Sequence, residues 1–206
     1  MKKYFIVFFS LILILTLTAC NNQQTTNSAN NKQSSSNSSD KKNISDTKSL
    51  VVYFSQSGNT KTLANIIQKS TNADVFELEL VQPYPDNYDQ MTEQVGKEQK
   101  DHITPELSKK ITDFDNYDTI FIGSPIWRSS LAPPMASFIT SYNLSGKTVI
   151  PFFTSDSGTL GNSVSVINSL VSTEDQVLDA LAVKGEYAAK AQSSVDTWLE
   201  KNGFVK

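Results

Sequence analysis

Cysteine and histidine are nearly absent from the 206 residues: there is one of each, Cys20 and His102. A lone cysteine forms no disulfide within the chain and provides no thiolate set for a structural metal or an iron–sulfur cluster. A Ser-His-Asp hydrolase would have to use His102, which lies in a polar stretch before Pro105 and reads as a solvated surface residue, and no GxSxG elbow accompanies it. The phosphate-binding pattern GxxxxGK[ST], the dinucleotide pattern GxGxxG and the calcium spacing DxDxDG are all missing, so no metal site is expected. Apolar runs are short as well, none reaching the roughly 20 residues of a membrane-spanning helix. Positive charge is scarce where it would matter. Residues 1–48 hold six lysines against Asp40 and Asp46, a net of +4, which leaves −7 of the whole-chain −3 for residues 49–206. An acidic domain is a poor surface for neutralising nucleic-acid phosphates.

The first quarter of the chain differs from the rest. Lys2 and Lys3 precede an almost wholly apolar run, Tyr4 to Leu17, which closes on the small residues of LTAC, Leu17 to Cys20. This is the pattern of a secretory signal with its cleavage site. LTAC resembles a bacterial lipobox, and that resemblance implies that Cys20 becomes the first residue and carries the lipid. Two or more acyl chains, at about 0.8 kcal/mol per buried CH₂, would hold the protein stably on the outer face of the cell membrane. With Cys20 so used, no cysteine remains for nucleophilic catalysis. Between Asn21 and Lys48 only Ala29 and Ile44 are apolar, so the segment cannot bury enough surface to offset its ordering entropy. It reads as a flexible tether of about 30 Å average reach. The expected organisation is a signal peptide over 1–19, lipidated Cys20 and tether over 20–48, and one folded domain over 49–206.

Within that domain short β-rich runs alternate with helical patterns. Leu50–Ser55, Ala73–Leu80, Tyr117–Pro125, Lys147–Ser155 and the weaker stretch DQVLDALAV read as strands. Helices are expected over Thr60–Ser70, about Tyr88–Lys100, the stretch APPMASFITSY, the stretch LGNSVSVINSLV, and GEYAAKAQSSVDTWLEKNGF, which closes on Asn202-Gly203 and places Trp198 in the core. The near-continuous apolar runs at 117–125 and 147–155 suit strands buried on both faces. Five strands separated by helices imply a doubly wound α/β domain, a parallel sheet with helices on both faces. Ligands in such sheets sit at the carboxyl ends of the strands, where strand order reverses.

Three loops meet at that edge. The first, SQSGNT, offers hydroxyls at Ser55, Ser57 and Thr60, the backbone of Gln56, the Asn59 amide and a flexible Gly58, then a helix N-terminus. Such a turn gathers N–H groups around an anion, although Ser and Asn before a helix serve equally well as simple caps. No lysine stands in the loop to meet a terminal phosphate. The second, GSPIWRSSLAPP, sets Ser124, Pro125, Ile126 and then Trp127 just past a buried strand, where the indole either stacks on a flat heterocycle or caps the core. The third, TSDSGTLG, offers the backbone of Thr154, Ser155, Asp156, Ser157 and Gly158, with Gly158 or Gly161 free to take conformations closed to other residues. A phosphate nest, an aromatic wall and a polar backbone clamp together fit a phosphorylated planar cofactor.

These motifs, in this order, resemble the flavodoxin family over about Ser49 to Lys206. SQSGNT is similar to its phosphate loop, directly after the first strand. GSPIW followed by PP, then PFFTSDSGTLGNSV, with PYP and the tyrosine-bearing PYPDNYDQ after the second strand, resembles one subgroup. The resemblance implies a five-stranded sheet of order 2-1-3-4-5 and flavin mononucleotide (FMN) as cofactor. It implies phosphate contacts from Ser55 to Thr60, a ring wall of Ser124, Pro125, Ile126 and Trp127, and a second edge from Thr154 to Gly158. It also implies a monomeric electron-transfer protein that meets a redox partner protein or a small electron acceptor. Two alternatives stand beside it: an NAD(P)H:quinone-type reductase, and a non-redox lipoprotein that binds a phosphorylated ligand. The third loop departs from many flavodoxins in having no tyrosine to cover the ring's second face.

Overall fold

The structure is a computed structural model that describes residues 47–172 and 176–204, all within the compact unit Asp40–Lys206. The expected signal peptide, the lipidation of Cys20 and nearly all of the tether lie outside the described residues. No described helix is long and apolar enough to cross a membrane.

The chain runs β1 (Ser49–Tyr53), α1 (Asn59–Thr71), β2 (Asp74–Glu77), α2 (Tyr88–Asp101), β3 (Thr119–Trp127), β4 (Ser130–Leu131), α3 (Pro133–Ser141), β5 (Thr148–Ser155), α4 (Ser163–Leu170), β6 (Gln176–Val177), β7 (Leu181–Lys184) and α5 (Gln192–Lys201). β2, β1, β3 and β5 lie side by side and parallel, and β6 and β7 both pair with β5. The fold is the expected flavodoxin-like α/β class, with β6 and β7 together filling the fifth place. Alternation along the strands sorts the core onto two faces. Leu50, Val52, Ile120, Ile122 and Phe153 point to one face, where Val95 of α2, Met135 and Phe138 of α3, and Ile167 of α4 cover them. Val51, Tyr53, Phe121, Ile150 and Phe152 point to the other, under Leu63 and Ile67 of α1 and Val195, Trp198 and Leu199 of α5. Each such side chain, fully removed from water, contributes about 1.5–3 kcal/mol.

Three expectations change. Seven strands are present among the described residues instead of five, because β4 turns back antiparallel on the end of β3 and because the last strand is broken. The second strand shrinks to Asp74–Glu77, with Leu80 making a separate antiparallel bridge to Leu107. The final helix begins only at Gln192, since Gly185–Lys190 winds as a tighter 3₁₀ segment; it does end at Asn202 and Gly203, whose φ is 85°.

The break in the last strand has an identifiable cause. Val149 accepts from Leu178 N–H, so β5 turns Val149 and, two residues on, Pro151 toward the last strand. Proline has no N–H to donate to the ladder. Opposite Ile150 and Pro151 the neighbouring strand inserts one extra residue, passing Leu178–Ala180 between the pairs Val149 with Val177 and Phe152 with Leu181. α5 then satisfies the stray peptide. Asp179 N–H donates to Asn202 Oδ1 at 3.1 Å, and Asp179 O accepts from Trp198 Nε1 at 2.6 Å and Asn202 Nδ2 at 3.3 Å. Asn202→Ala is therefore expected to lower the unfolding free energy by about 1–2 kcal/mol, read as a lower urea midpoint at unchanged slope. A midpoint shift worth under about 0.3 kcal/mol would show that the bulge needs no such support.

Candidate functional site

β1, β3 and β5 end at one edge of the sheet, and the loops after them frame a cleft of about 400 Å³. Its wall takes Gln56 and Ser57 from the first loop and Asn59 from the start of α1, Pro125 to Arg128 from the end of β3 and its hairpin turn, and Thr154 to Asp156 from the end of β5 and the loop after it. It also takes Gly185 and, from the segment opposite, Pro85, Asp86, Tyr88, Met91, Thr92 and Val95. The volume lies at the lower end of the range for small-molecule pockets.

The first loop leaves the N-terminus of α1 open. Gly58 holds φ 86° at the N-cap, a left-handed conformation that suits glycine, and provides no side-chain cap; no acidic residue occupies the first turn. By contrast Asn87 caps α2, its side chain accepting from Gln90 N–H. First-turn N–H groups have no acceptor inside their own helix. At α1 Lys61 N–H donates to Ser55 Oγ at 3.2 Å, and the N–H groups of Asn59 and Thr60 have no acceptor among the described residues. Lys61 itself pairs with Glu77 at 2.7 Å. Neutral donors and a helix dipole therefore define this end of the cleft, which is the chemistry of a phosphate monoester site.

The second loop is a tight hairpin. Trp127 pairs with Ser130, and the two residues between them, Arg128 and Ser129, have φ 48° and 62°. Two successive positive φ values mark a type I′ turn, which normally selects Asn-Gly. Here each non-glycine residue costs roughly 1–2 kcal/mol. Neighbours hold the turn in place: Gln99 Nε2 donates to Trp127 O at 3.0 Å and Leu131 O at 3.3 Å, and Asn162 N–H donates to Ser129 O at 2.8 Å. A Cβ on Gly161 would lie 2.2 Å from Ser129 O, so that glycine is needed for the close approach. The Arg128 side chain lies against Gly96, where a Cβ would come within 3.1 Å of Nε. Gly96 sits inside α2, where glycine costs up to about 1 kcal/mol relative to alanine.

Trp127 is half-buried. Its ring meets Phe54 at 5.6 Å and Tyr84 at 5.2 Å, both edge to face, so one side is packed while the residue still lines the cleft. It both caps the core and forms a wall. Tyr84 is anchored in turn: its hydroxyl donates to Glu98 Oε2 at 2.5 Å, and Gln94 Nε2 donates to the other carboxylate oxygen at 2.8 Å. Burial first, and then the hydrogen bond and charge of Glu98, hold the Tyr84 phenol far above its ordinary value of 10. Burial and Glu77 raise Tyr53 likewise, and burial with Asp74 pushes Tyr117 up to about 12. A raised folded-state value means that the unfolded chain loses its phenolic protons first. The stabilisation is complete below pH 10 and is lost as pH rises toward the folded values. Unfolding free energy is therefore expected to fall above about pH 10, and Tyr84→Phe to remove one tyrosine's share, about 1.4 kcal/mol per pH unit. Identical alkaline slopes in the two proteins, measured by urea titration, would refute the assignment to Tyr84.

Of the residues singled out from sequence, Gln56, Ser57, Asn59, Pro125, Ile126, Trp127, Thr154, Ser155 and Asp156 line the cleft. Ser55, Gly58, Ser157 and Gly158 belong to the same loops but do not line it. Ser55 Oγ accepts from Lys61 N–H at 3.2 Å, and Ser155 Oγ accepts from Gly158 N–H at 2.9 Å. Gly158 and Gly161 both take positive φ, 72° and 54°. Two hydroxyls expected at the cofactor turn inward. Ser124, fully buried, accepts from Ala132 N–H and donates to Pro125 O, so it holds the backbone of its loop. Thr60 is also buried and pairs with Thr154 across 2.8 Å, tying the first loop to the third. Sequence reading did not assign the α2 wall, Arg128 or Gly185 to the site. Arg128 could have been found: it is the only arginine in the chain and follows the wall tryptophan directly.

The family model described as Flavodoxin matches residues 48–202. Among solved structures, one described as a flavoprotein from Bacteroides eggerthii is 27% identical, with a TM-score of 0.63 covering 78% of this chain and 99% of its own. A flavoprotein in complex with FMN from Lactobacillus acidophilus is 26% identical, with a TM-score of 0.61 over 74% of this chain and 98% of its own. Another described as a flavoprotein, from Bacteroides uniformis, is 27% identical, with a TM-score of 0.60 over 75% and 99%. No curated protein matches the chain.

Proposed function

The chain belongs to the flavodoxin family, and from that premise we propose that it binds FMN in the cleft and transfers electrons outside the cytoplasmic membrane, to which lipid on Cys20 tethers it. One observation carries the cofactor reading: the N-terminus of α1, with no side-chain cap at Gly58, no lysine in the SQSGNT loop and Lys61 paired with Glu77, opens into the same cleft as the Trp127 wall. These residues fit FMN. The similar Lactobacillus acidophilus flavoprotein, described as a complex with FMN, supports the assignment.

FMN, once bound, supplies reversible uptake of one or two electrons; the protein supplies placement and surroundings. First-turn N–H groups of α1, with Ser57, the Asn59 amide and the Gln56 backbone, receive the phosphate without adding charge. Pro125, Ile126 and Trp127 form the flat wall, and Ser155 and Asp156 lie along another edge. Tyr84 and Glu98 act as positioning residues through Trp127, while Val95 and Met91 keep water from the apolar side. On this reading residues 49–206 work as a monomer, with residues 20–48 as tether and 1–19 as the removed signal. The partner is a redox protein or a small electron acceptor.

The direct test is uptake of FMN by the purified apoprotein, followed by visible absorbance and fluorescence quenching. Saturable one-to-one binding is expected, and a protein that takes up no FMN ends the proposal. The absence of an aromatic residue in the third loop favours a second reading, in which a small substrate enters and NAD(P)H is the electron donor. Steady-state NAD(P)H oxidation by the FMN-loaded protein separates the two. Loss of radiolabelled palmitate incorporation in Cys20→Ser is the result expected of the anchor, and unchanged labelling would remove it.

A further inference from the structure

Three locally unfavourable choices converge on a single guanidinium. Arg128 and Ser129 occupy a turn with two positive φ values, and a glycine interrupts α2 at Gly96, directly beneath the Arg128 side chain. Backbone strain of this kind persists only where the surroundings impose it, and it clusters at functional sites. The surroundings here are the hydrogen bonds from Gln99 and Asn162 to the hairpin and the close approach of Gly161. Arg128 makes no ion pair among the described residues, although Asp86 and Asp156 line the same cleft. It is exposed, yet it borders the apolar patch of Pro85, Met91, Val95 and Ile126.

A planar guanidinium beside an apolar wall recognises a planar oxyanion attached to an apolar body, because its fork matches a carboxylate in a bidentate pair. The phosphate end of the cleft lies on a different loop and is built from neutral donors, so its chemistry does not call for this cation. We propose that Arg128 forms a second subsite in the flavin cleft, one that binds the carboxylate of a flat aromatic acid. This rests on the FMN reading and names the class of small molecule the cleft admits.

Benzoate and its neutral isostere benzamide are suitable probes. The apoprotein is first loaded with FMN, and failure at that stage would count against the cofactor reading by itself. The loaded protein is then titrated with each probe, and the flavin's visible spectrum is followed. Benzoate is expected to bind at least tenfold more tightly than benzamide. Arg128→Gln should bring the two within about threefold, and Arg128→Lys, which keeps the charge without the fork, should fall between. Gly96→Ala puts a methyl group against the guanidinium and improves the helix; it should therefore raise the melting temperature while weakening the preference for benzoate. Equal binding of the two probes by the wild-type protein, or a preference that survives Arg128→Gln, overturns the proposal. A tenfold or greater loss of FMN affinity in Arg128→Gln also overturns it, since the guanidinium would then serve the cofactor.

Discussion

Gly123→Ala is expected to cost the fold about 3 kcal/mol, the upper end of the usual range for overpacking a core. An alanine Cβ at this position would lie 2.1, 2.4 and 2.8 Å from Cζ, Cε2 and Cε1 of Phe152, so the ring covers the glycine directly. Phe152 has nowhere to go. It is fully buried among Val51, Tyr53, Leu63 and Trp198, and it pairs with Gly123 in the β3–β5 ladder. Gly123 cannot move away either, because its carbonyl accepts from Phe54 N–H and its strand is held by β1 on the other side. The same substitution would disturb the cleft, since Ser124 to Trp127 follow on the same strand. Chemical denaturation of the single and double variants checks the cause. Phe152→Leu alone creates space and costs stability, yet combined with Gly123→Ala it should cost at least about 1 kcal/mol less than the sum of the two. A Gly123→Ala protein within about 0.5 kcal/mol of wild type would mean the ring yields freely.

Gly123 also shows what sequence reading could and could not reach. GSPIW was legible as a site motif because a polar break after a buried strand, ending in tryptophan, is unusual. Its glycine, though, makes room for an aromatic ring from the neighbouring strand, and that requires the β3–β5 register. The apolar runs at 117–125 and 147–155 were readable as central strands because burial on both faces removes polar alternation. The break in the last strand was not, because it depends on which way Pro151 turns in the ladder. Similarly, the three loops could be placed at one edge from topology alone, whereas the direction of each hydroxyl could not. Thr60 and Ser124 face inward to hold backbone and loop together, and only Ser57 and Asn59 of the first loop's side chains expected at the phosphate border the cleft along with Gln56. PYPDNYDQ was legible as a motif but not as part of the wall, and Met91, Thr92 and Val95 escaped notice because they converge on the cleft through tertiary packing, with no pattern along the chain to announce them.

Asn59→Asp should move stability and FMN affinity in opposite directions. Asn59 is the first residue of α1, half-buried, and borders the cleft with its amide close to Gly185. A carboxylate there meets the positive end of the helix dipole, in a first turn that has no acidic residue, and should stabilise the apoprotein by about 0.3–1 kcal/mol. The same carboxylate removes a hydrogen-bond donor from the phosphate and adds a like charge. The lost charge-assisted bond is worth about 1.5–3 kcal/mol, and repulsion between partly screened charges about 4 Å apart adds to it. FMN affinity should therefore drop by about two to three orders of magnitude. Riboflavin, which has no phosphate, should bind both proteins within about threefold of each other. A companion variant separates charge from shape: in Gly185→Ala the new Cβ would lie 2.5 Å from Asn59 Nδ2, displacing the amide without changing its charge. It should weaken FMN by about tenfold and leave riboflavin untouched, as expected for the loss of one hydrogen bond to a charged group. If Asn59→Asp raises the melting temperature yet leaves FMN affinity unchanged, the open end of α1 is only a helix terminus, and the phosphate must be held elsewhere.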